Sequence, residues 1–66
     1  MKNRLREIRK SRGITQEELA EKTNIHRVTI AKYETGKFEP GTENLFKLAS
    51  ALGCTADELM IRQKAV

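Results

Sequence analysis

Residues 15–36, TQEELAEKTNIHRVTIAKYETG, decide how this chain is read. They spell two short helices joined by a tight turn. Thr15-Gln16-Glu17-Glu18 is a capping box: Thr15 caps the Glu18 amide and Glu18 reaches back. Ile14 and Leu19 flank the cap as a hydrophobic staple. Leu19 and Ala20 face inward, and Ala20 is small enough for close helix approach. This helix is expected to end near Lys22 or Thr23. Asn24 follows, a residue that tolerates the positive φ of a tight turn. Ile25, the one apolar residue of the turn, is expected to plug the core. The next helix starts after His26 and runs to about Glu34 or Thr35, with Gly36 ending it.

The faces of the second helix differ in chemistry. At about 100° per residue, Ile30 and Tyr33 share one side, which is the buried one. Arg27, Val28, Ala31, Lys32 and Thr35 share the opposite side. Arg27 matches guanine O6 and N7 bidentately, and Lys32 reaches the same acceptors or a phosphate. Val28 and Ala31 suit a thymine methyl. Thr15 and Gln16, at a helix N-terminus, are placed for phosphates. A rigid helix of this kind, held by its neighbour across a short turn, is how small proteins enter the DNA major groove. The plainer reading is an amphipathic surface helix; the tight turn, the small Ala20 and the flanking caps weigh against it.

The rest of the chain reads as support. A first helix is expected from about Lys2 to Arg12, with Leu5, Ile8 and Arg9 on one face and Gly13 stopping it. Lys37–Gly41 is a loop punctuated by Pro40-Gly41. A fourth helix spans about Thr42 to Leu52, with Leu45, Leu48, Ala49 and Leu52 on one face and Gly53 after it. Thr55-Ala56-Asp57-Glu58 is a second capping box, opening a fifth helix with Leu59 in the core. Residues 62–66 are expected to fray. No repeat, low-complexity run or strand pattern appears. The expected fold is all-α, five short helices in one domain over residues 1–66.

Composition narrows the classes. Sixty-six residues make a small core, so economical packing or a partner is needed. One cysteine, Cys54, forms no intrachain disulfide, and no Cys/His set suits a structural metal. Nothing in the chain asks for a cofactor. The N-terminus lacks the apolar run of a leader, and no stretch approaches the roughly 20 apolar residues of a membrane span. A cytoplasmic protein, on the nucleoid when bound to DNA, is expected. Residues 1–37 hold ten Lys/Arg and five Glu, a balance of +5; residues 38–66 hold three Lys/Arg and four Asp/Glu, a balance of −1. A basic half carrying the two-helix motif suits a polyanion; a solvated basic face is the alternative.

The stretch from Gln16 to Lys22, a three-residue turn, and the stretch from Val28 to Lys37 together resemble the Cro/phage-repressor (Xre-type, lambda-repressor-like) helix-turn-helix transcription regulators. Pro40, the pattern Leu45-x-x-Leu48-Ala49-x-Ala51-Leu52-Gly53, and Asp57-Glu58-Leu59 continue the match over about residues 2–61. The resemblance implies a compact five-helix DNA-binding domain. It implies that Arg27, Val28 and Lys32 read bases, that Gln16 meets a phosphate or base edge, and that Thr35 and Lys37 touch the backbone. It further implies that Arg9 and Glu34 pair, locking the first helix to the recognition helix.

Three positions depart from the family pattern. Asn24 stands where Gly is common. His26 stands where Ser or Thr usually caps; histidine caps poorly, so it is expected to face a phosphate, with binding then pH-dependent near the unperturbed value of about 6.5, or to have no role. Phe38 stands where a polar or basic residue is common, either as a contact surface or folded back on the core.

One such module covers little DNA, so a homodimer on an inverted-repeat operator of double-stranded DNA is expected. Phe46, Met60 and Ile61 are the apolar candidates for its interface, unless they only complete the core. The main reading is a sequence-specific regulator, most simply a repressor from a bacterium, phage or mobile element. The alternative is an antitoxin-type module with a protein partner, whose DNA binding is secondary and autoregulatory. An enzyme is not expected, because one His, one Cys and scattered Glu form no convergent set. Binding to a membrane surface conflicts with the core role of the first helix, and A-form RNA has too narrow a major groove for the third.

Overall fold

The computed structural model describes residues 4–60. Within them lie five helices: α1 Leu5–Ser11, α2 Gln16–Thr23, α3 Arg27–Glu34, α4 Thr42–Leu52 and α5 Ala56–Leu59. No helix among the described residues is long and apolar enough to cross a membrane.

Local chemistry sets the helix ends. Glu18 N–H donates to Thr15 Oγ1 at 3.0 Å, and Thr15 N–H donates to Glu18 Oε1 at 2.9 Å, which closes the first capping box. The same reciprocal pair opens α5, at 3.1 Å from Glu58 N–H to Thr55 Oγ1 and 2.8 Å from Thr55 N–H to Glu58 Oε1. The Thr55 amide thereby holds the Glu58 carboxyl below its ordinary value. At the end of α3, Lys37 N–H donates to Lys32 O and Gly36 N–H to Tyr33 O, with Gly36 at φ 81°. This Schellman closure needs a residue without a Cβ at the left-handed position. α1 and α4 close by the same bond pattern, from Ile14 N–H to Arg9 O and from Cys54 N–H to Ala49 O.

α1 begins at Leu5, later than the expected start near Lys2. Residues 1–3 lie outside the described set; Arg4, at φ −105° and ψ 18°, is the N-cap. Its N–H donates to Leu59 O at 2.8 Å, tying the entry of α1 to the end of α5. The expectation of fraying for residues 62–66 also falls outside the described residues.

α2 packs on both α3 and α4, α4 on α5, and α1 on α3. Leu19, Ile30, Leu48 and Leu59 are the largest of the most deeply buried side chains, with Leu5, Ile8, Ile25, Tyr33, Ala49 and Leu52 around them. Ile14, Ala20, Leu45, Ala51 and Cys54 pack against this core from its edge. Burial pushes the Cys54 thiol above its ordinary value, and the Glu58 carboxylate acts in the same direction. The thiol is therefore protonated at neutral pH.

Polar groups are paired where they are buried: among the described residues no buried side-chain nitrogen or oxygen lacks a hydrogen bond. Thr23 Oγ1 donates to Leu19 O at 2.7 Å and accepts from Ile25 N–H at 3.3 Å. Arg12 Nε donates to Leu52 O at 2.9 Å, satisfying a C-terminal carbonyl of α4 from the residue that ends α1. The most enclosed pair is Arg9 and Glu34. Arg9 Nε lies 2.6 Å from Glu34 Oε2 and Nη2 lies 3.3 Å from Oε1, with side chains 9% and 3% exposed. Arg9 Nη1 also donates to Ile14 O at 2.7 Å.

Removing one partner of a buried pair strands the other charge, at a cost of about 3–5 kcal/mol. Glu34→Ala is expected to lower the unfolding free energy by about that amount in chemical denaturation. The double change Arg9→Met with Glu34→Leu is expected to recover part of it. An unaltered midpoint for Glu34→Ala would show that the pair holds nothing together.

Candidate nucleic-acid interface

The turn between α2 and α3 is three residues of unlike function. Asn24 adopts φ 60° and ψ 28°, and its N–H donates to Ala20 O at 2.7 Å. Asparagine is among the few residues with a side chain that visits this region readily, so it serves where Gly is common. Ile25 is 7% exposed and anchors the turn in the core. His26 then starts α3.

His26 is expected to cap poorly, and here the structure differs. Its Nδ1 accepts from Val28 N–H at 3.4 Å, so it does act as the N-cap, over a long bond. A neutral ring accepting at Nδ1 carries its proton on Nε2, which remains a donor.

α3 buries Ile30 and Tyr33 and leaves Arg27 and Val28 exposed, with Ala31 and Lys32 half-buried. Tyr33 is fixed at its far end, where Asn44 Nδ2 donates to its hydroxyl at 2.9 Å. Val28, 46% exposed, is one of few large apolar side chains left in water. A β-branched side chain there is stiff, and stiffness suits a contact surface.

The N-terminus of α2 meets the last turn of α3. Gln16 Nε2 donates to Glu34 Oε1 at 3.0 Å. The Arg9–Glu34 pair thus extends to a third member, which sequence spacing did not reveal. One amide hydrogen of Gln16 is used in this bond and the other remains as a donor. Thr15 Oγ1 is occupied by its cap, and Thr35 Oγ1 donates to Lys32 O at 3.1 Å. Lys37 is exposed directly after α3.

The structure therefore brings Thr15, Gln16, Thr35 and Lys37 to the region where α2 begins and α3 ends, while Arg27 and Val28 stand at the other end of α3. Phe38 neither joins the core nor stands alone. It is 49% exposed, and Lys32 Nζ lies over its ring at 4.9 Å from the centroid. Of the apolar candidates for a dimer interface, Phe46 is 59% exposed on α4 and Met60 is half-buried. Ile61 lies outside the described residues. Among the described residues no three His, Cys, Asp or Glu cluster as a metal site would need.

A helix-turn-helix family model matches residues 5–59. This chain belongs to the helix-turn-helix family of transcriptional regulators. A helix-turn-helix-type regulator of Archaeoglobus fulgidus is 39% identical over 61 residues, covering 92% of this chain and 87% of the relative. The phage CTXphi transcriptional repressor RstR of Vibrio cholerae is 41% identical over 59 residues, covering 89% of this chain and 53% of that repressor. Among solved structures, the restriction-modification controller protein C.AhdI of Aeromonas hydrophila superposes with a TM-score of 0.82 at 37% identity, covering 86% of each chain. The P22 c2 repressor, solved in complex with a synthetic operator, superposes with a TM-score of 0.81 at 37% identity, also covering 86% of each. The five-helix architecture is that of lambda-repressor-like domains.

The left-handed turn position gives a direct test of the geometry. Asn24→Ala is expected to cost about 1–2 kcal/mol, because a Cβ without a hydrogen-bonding head is strained there. Asn24→Gly is expected to retain full stability. Thermal melts of both variants that coincide with each other would mean that the turn is not left-handed at this residue.

Proposed function

We infer that this protein is a sequence-specific regulator of the repressor type that binds double-stranded DNA by laying α3 in the major groove. The observation that carries the reading is α3 itself. Its inner side is fixed by Ile30, Tyr33 and Glu34, and its outer side offers Arg27, Val28 and Lys32. A helix so held loses little freedom on docking, which favours specific contacts. The likeness to a repressor solved on its operator supports the same reading.

Within it, roles follow from chemistry. Arg27 offers a planar fork of donors to guanine O6 and N7. Val28 packs on a thymine methyl. Lys32 reads a base edge near the end of α3. Thr15 and Gln16 at the positive end of the α2 dipole, together with Thr35 and Lys37, hold phosphates. His26 offers its Nε2 proton to a phosphate while Nδ1 caps α3. The protein acts as a homodimer on an inverted repeat, with Phe46, Met60 and Ile61 as the proposed interface residues. These positions serve binding, and none of them is assigned catalysis.

Selection from random duplex DNA at near-physiological salt tests this. The expected product is an inverted repeat with half-sites about 34–36 Å apart. Arg27→Ala is then expected to cost about 1–3 kcal/mol and to relax preference at one base position. Lys37→Ala is expected to weaken all sequences alike and to flatten the salt dependence by about one ion. Enrichment of no sequence, with only weak salt-sensitive binding, would favour the antitoxin-type module, whose protein partner would then supply the specificity.

A further inference from the structure

Lys32 is held at both ends of its residue. Its carbonyl accepts from Lys37 N–H at 3.0 Å, from Phe38 N–H at 3.3 Å and from Thr35 Oγ1 at 3.1 Å. Its ammonium lies 4.9 Å from the centroid of the Phe38 ring, within the range of a cation–π contact. The backbone bond from Phe38 N–H brings that ring back over α3, and Pro40 two residues later stiffens the loop behind it. Phe38 is otherwise an exposed aromatic with no place in the core.

A free lysine is a poor reader of bases. Four rotatable bonds and a strongly hydrated head let it settle on any nearby phosphate. An aromatic ring under the head changes this. It replaces part of the hydration shell and restricts the chain before DNA arrives. With one N–H turned to the ring face, two remain for outward acceptors. Guanine presents two such acceptors, O6 and N7, on one base edge in the major groove.

We propose that Phe38 is a positioning residue for Lys32, its ring holding the ammonium so that Lys32 reads a guanine rather than a phosphate. The proposal rests on the reading of α3 as the recognition helix. Phe38 acts through Lys32, and its effect on binding passes through that one side chain.

The test compares the full chain with Phe38→Leu, Phe38→Tyr, Lys32→Ala and the Lys32→Ala/Phe38→Leu double variant. Each is titrated against the selected operator, against versions substituted at every position, and against non-specific duplex. Phe38→Leu is expected to weaken operator binding about two- to fivefold and to erode the guanine preference at one position of each half-site. Non-specific affinity is expected to hold, Phe38→Tyr to match the parent, and Phe38→Leu to add nothing once Lys32 is Ala. In the free protein, the Lys32 ε-methylene protons are expected upfield through the ring current and shifted back in Phe38→Leu. An equal loss in the Lys32→Ala background would mean that Phe38 touches DNA itself, and tighter binding by Phe38→Leu would mean that the ring competes with DNA for Lys32; either overturns the proposal. A parent chain with an operator that Phe38→Leu reads unchanged overturns the proposal alone. A parent chain with no preferred sequence removes the reading of α3 and the proposal with it.

Discussion

The buried Arg9–Glu34 pair is the constraint on which the orientation of the site depends. It joins α1 to the last turn of α3, reaches the Ile14 carbonyl between α1 and α2, and takes in Gln16 at the start of α2. Four segments are thus fixed relative to one carboxylate. Apolar packing would bring the same helices together, since hydrophobic burial is non-directional. It would not by itself choose the rotation of α3 about its axis. A bidentate arginine–carboxylate pair is directional. Its geometry sets which residues of α3 face out, and so makes the fold a support for a site.

The same economy runs through the ends of the helices. A 66-residue chain has little core to spend on holding short helices in place. α3 and α2 have only eight residues each and α5 has four, lengths that are marginal in isolation. Capping boxes, Schellman closures and the Arg12–Leu52 carbonyl bond make up for that by satisfying end groups locally.

Much of this was legible in the sequence because it is local. Thr15 with Glu18, Thr55 with Glu58, and the glycines after α1, α3 and α4 act within a few residues, so spacing alone marks them. The burial of Ile30 and Tyr33 followed from helical period, and the Arg9–Glu34 pair from family resemblance. What spacing could not show is non-local or off-period. Arg12 reaching Leu52, Asn44 reaching Tyr33, and Gln16 joining Glu34 cross between helices. Lys32 and Phe38 are six apart across a helix end, where neither the helical nor the strand period applies. The His26 cap escapes a reading by residue type: histidine is an uncommon cap, but Nδ1 is a competent acceptor when its backbone places it over Val28 N–H.

The residues that hold α3 and the residues that face out from it are nearly disjoint. Ile30, Tyr33 and Glu34 are committed to the frame; the Arg27 and Val28 side chains are exposed. Substitutions at exposed positions away from caps and ion pairs usually shift stability by within about 0.5 kcal/mol. The outward set can therefore change while the frame persists, which is the physical condition for one architecture to present many different surfaces. Lys32 is the exception that joins the two sets. Its backbone closes α3 and its head rests on Phe38, so its aim is coupled to the helix end in a way that Arg27's is not. On the proposed reading, Arg27 and Val28 are the positions at which specificity is free to vary, and Lys32 with Phe38 is the pair that has to vary together.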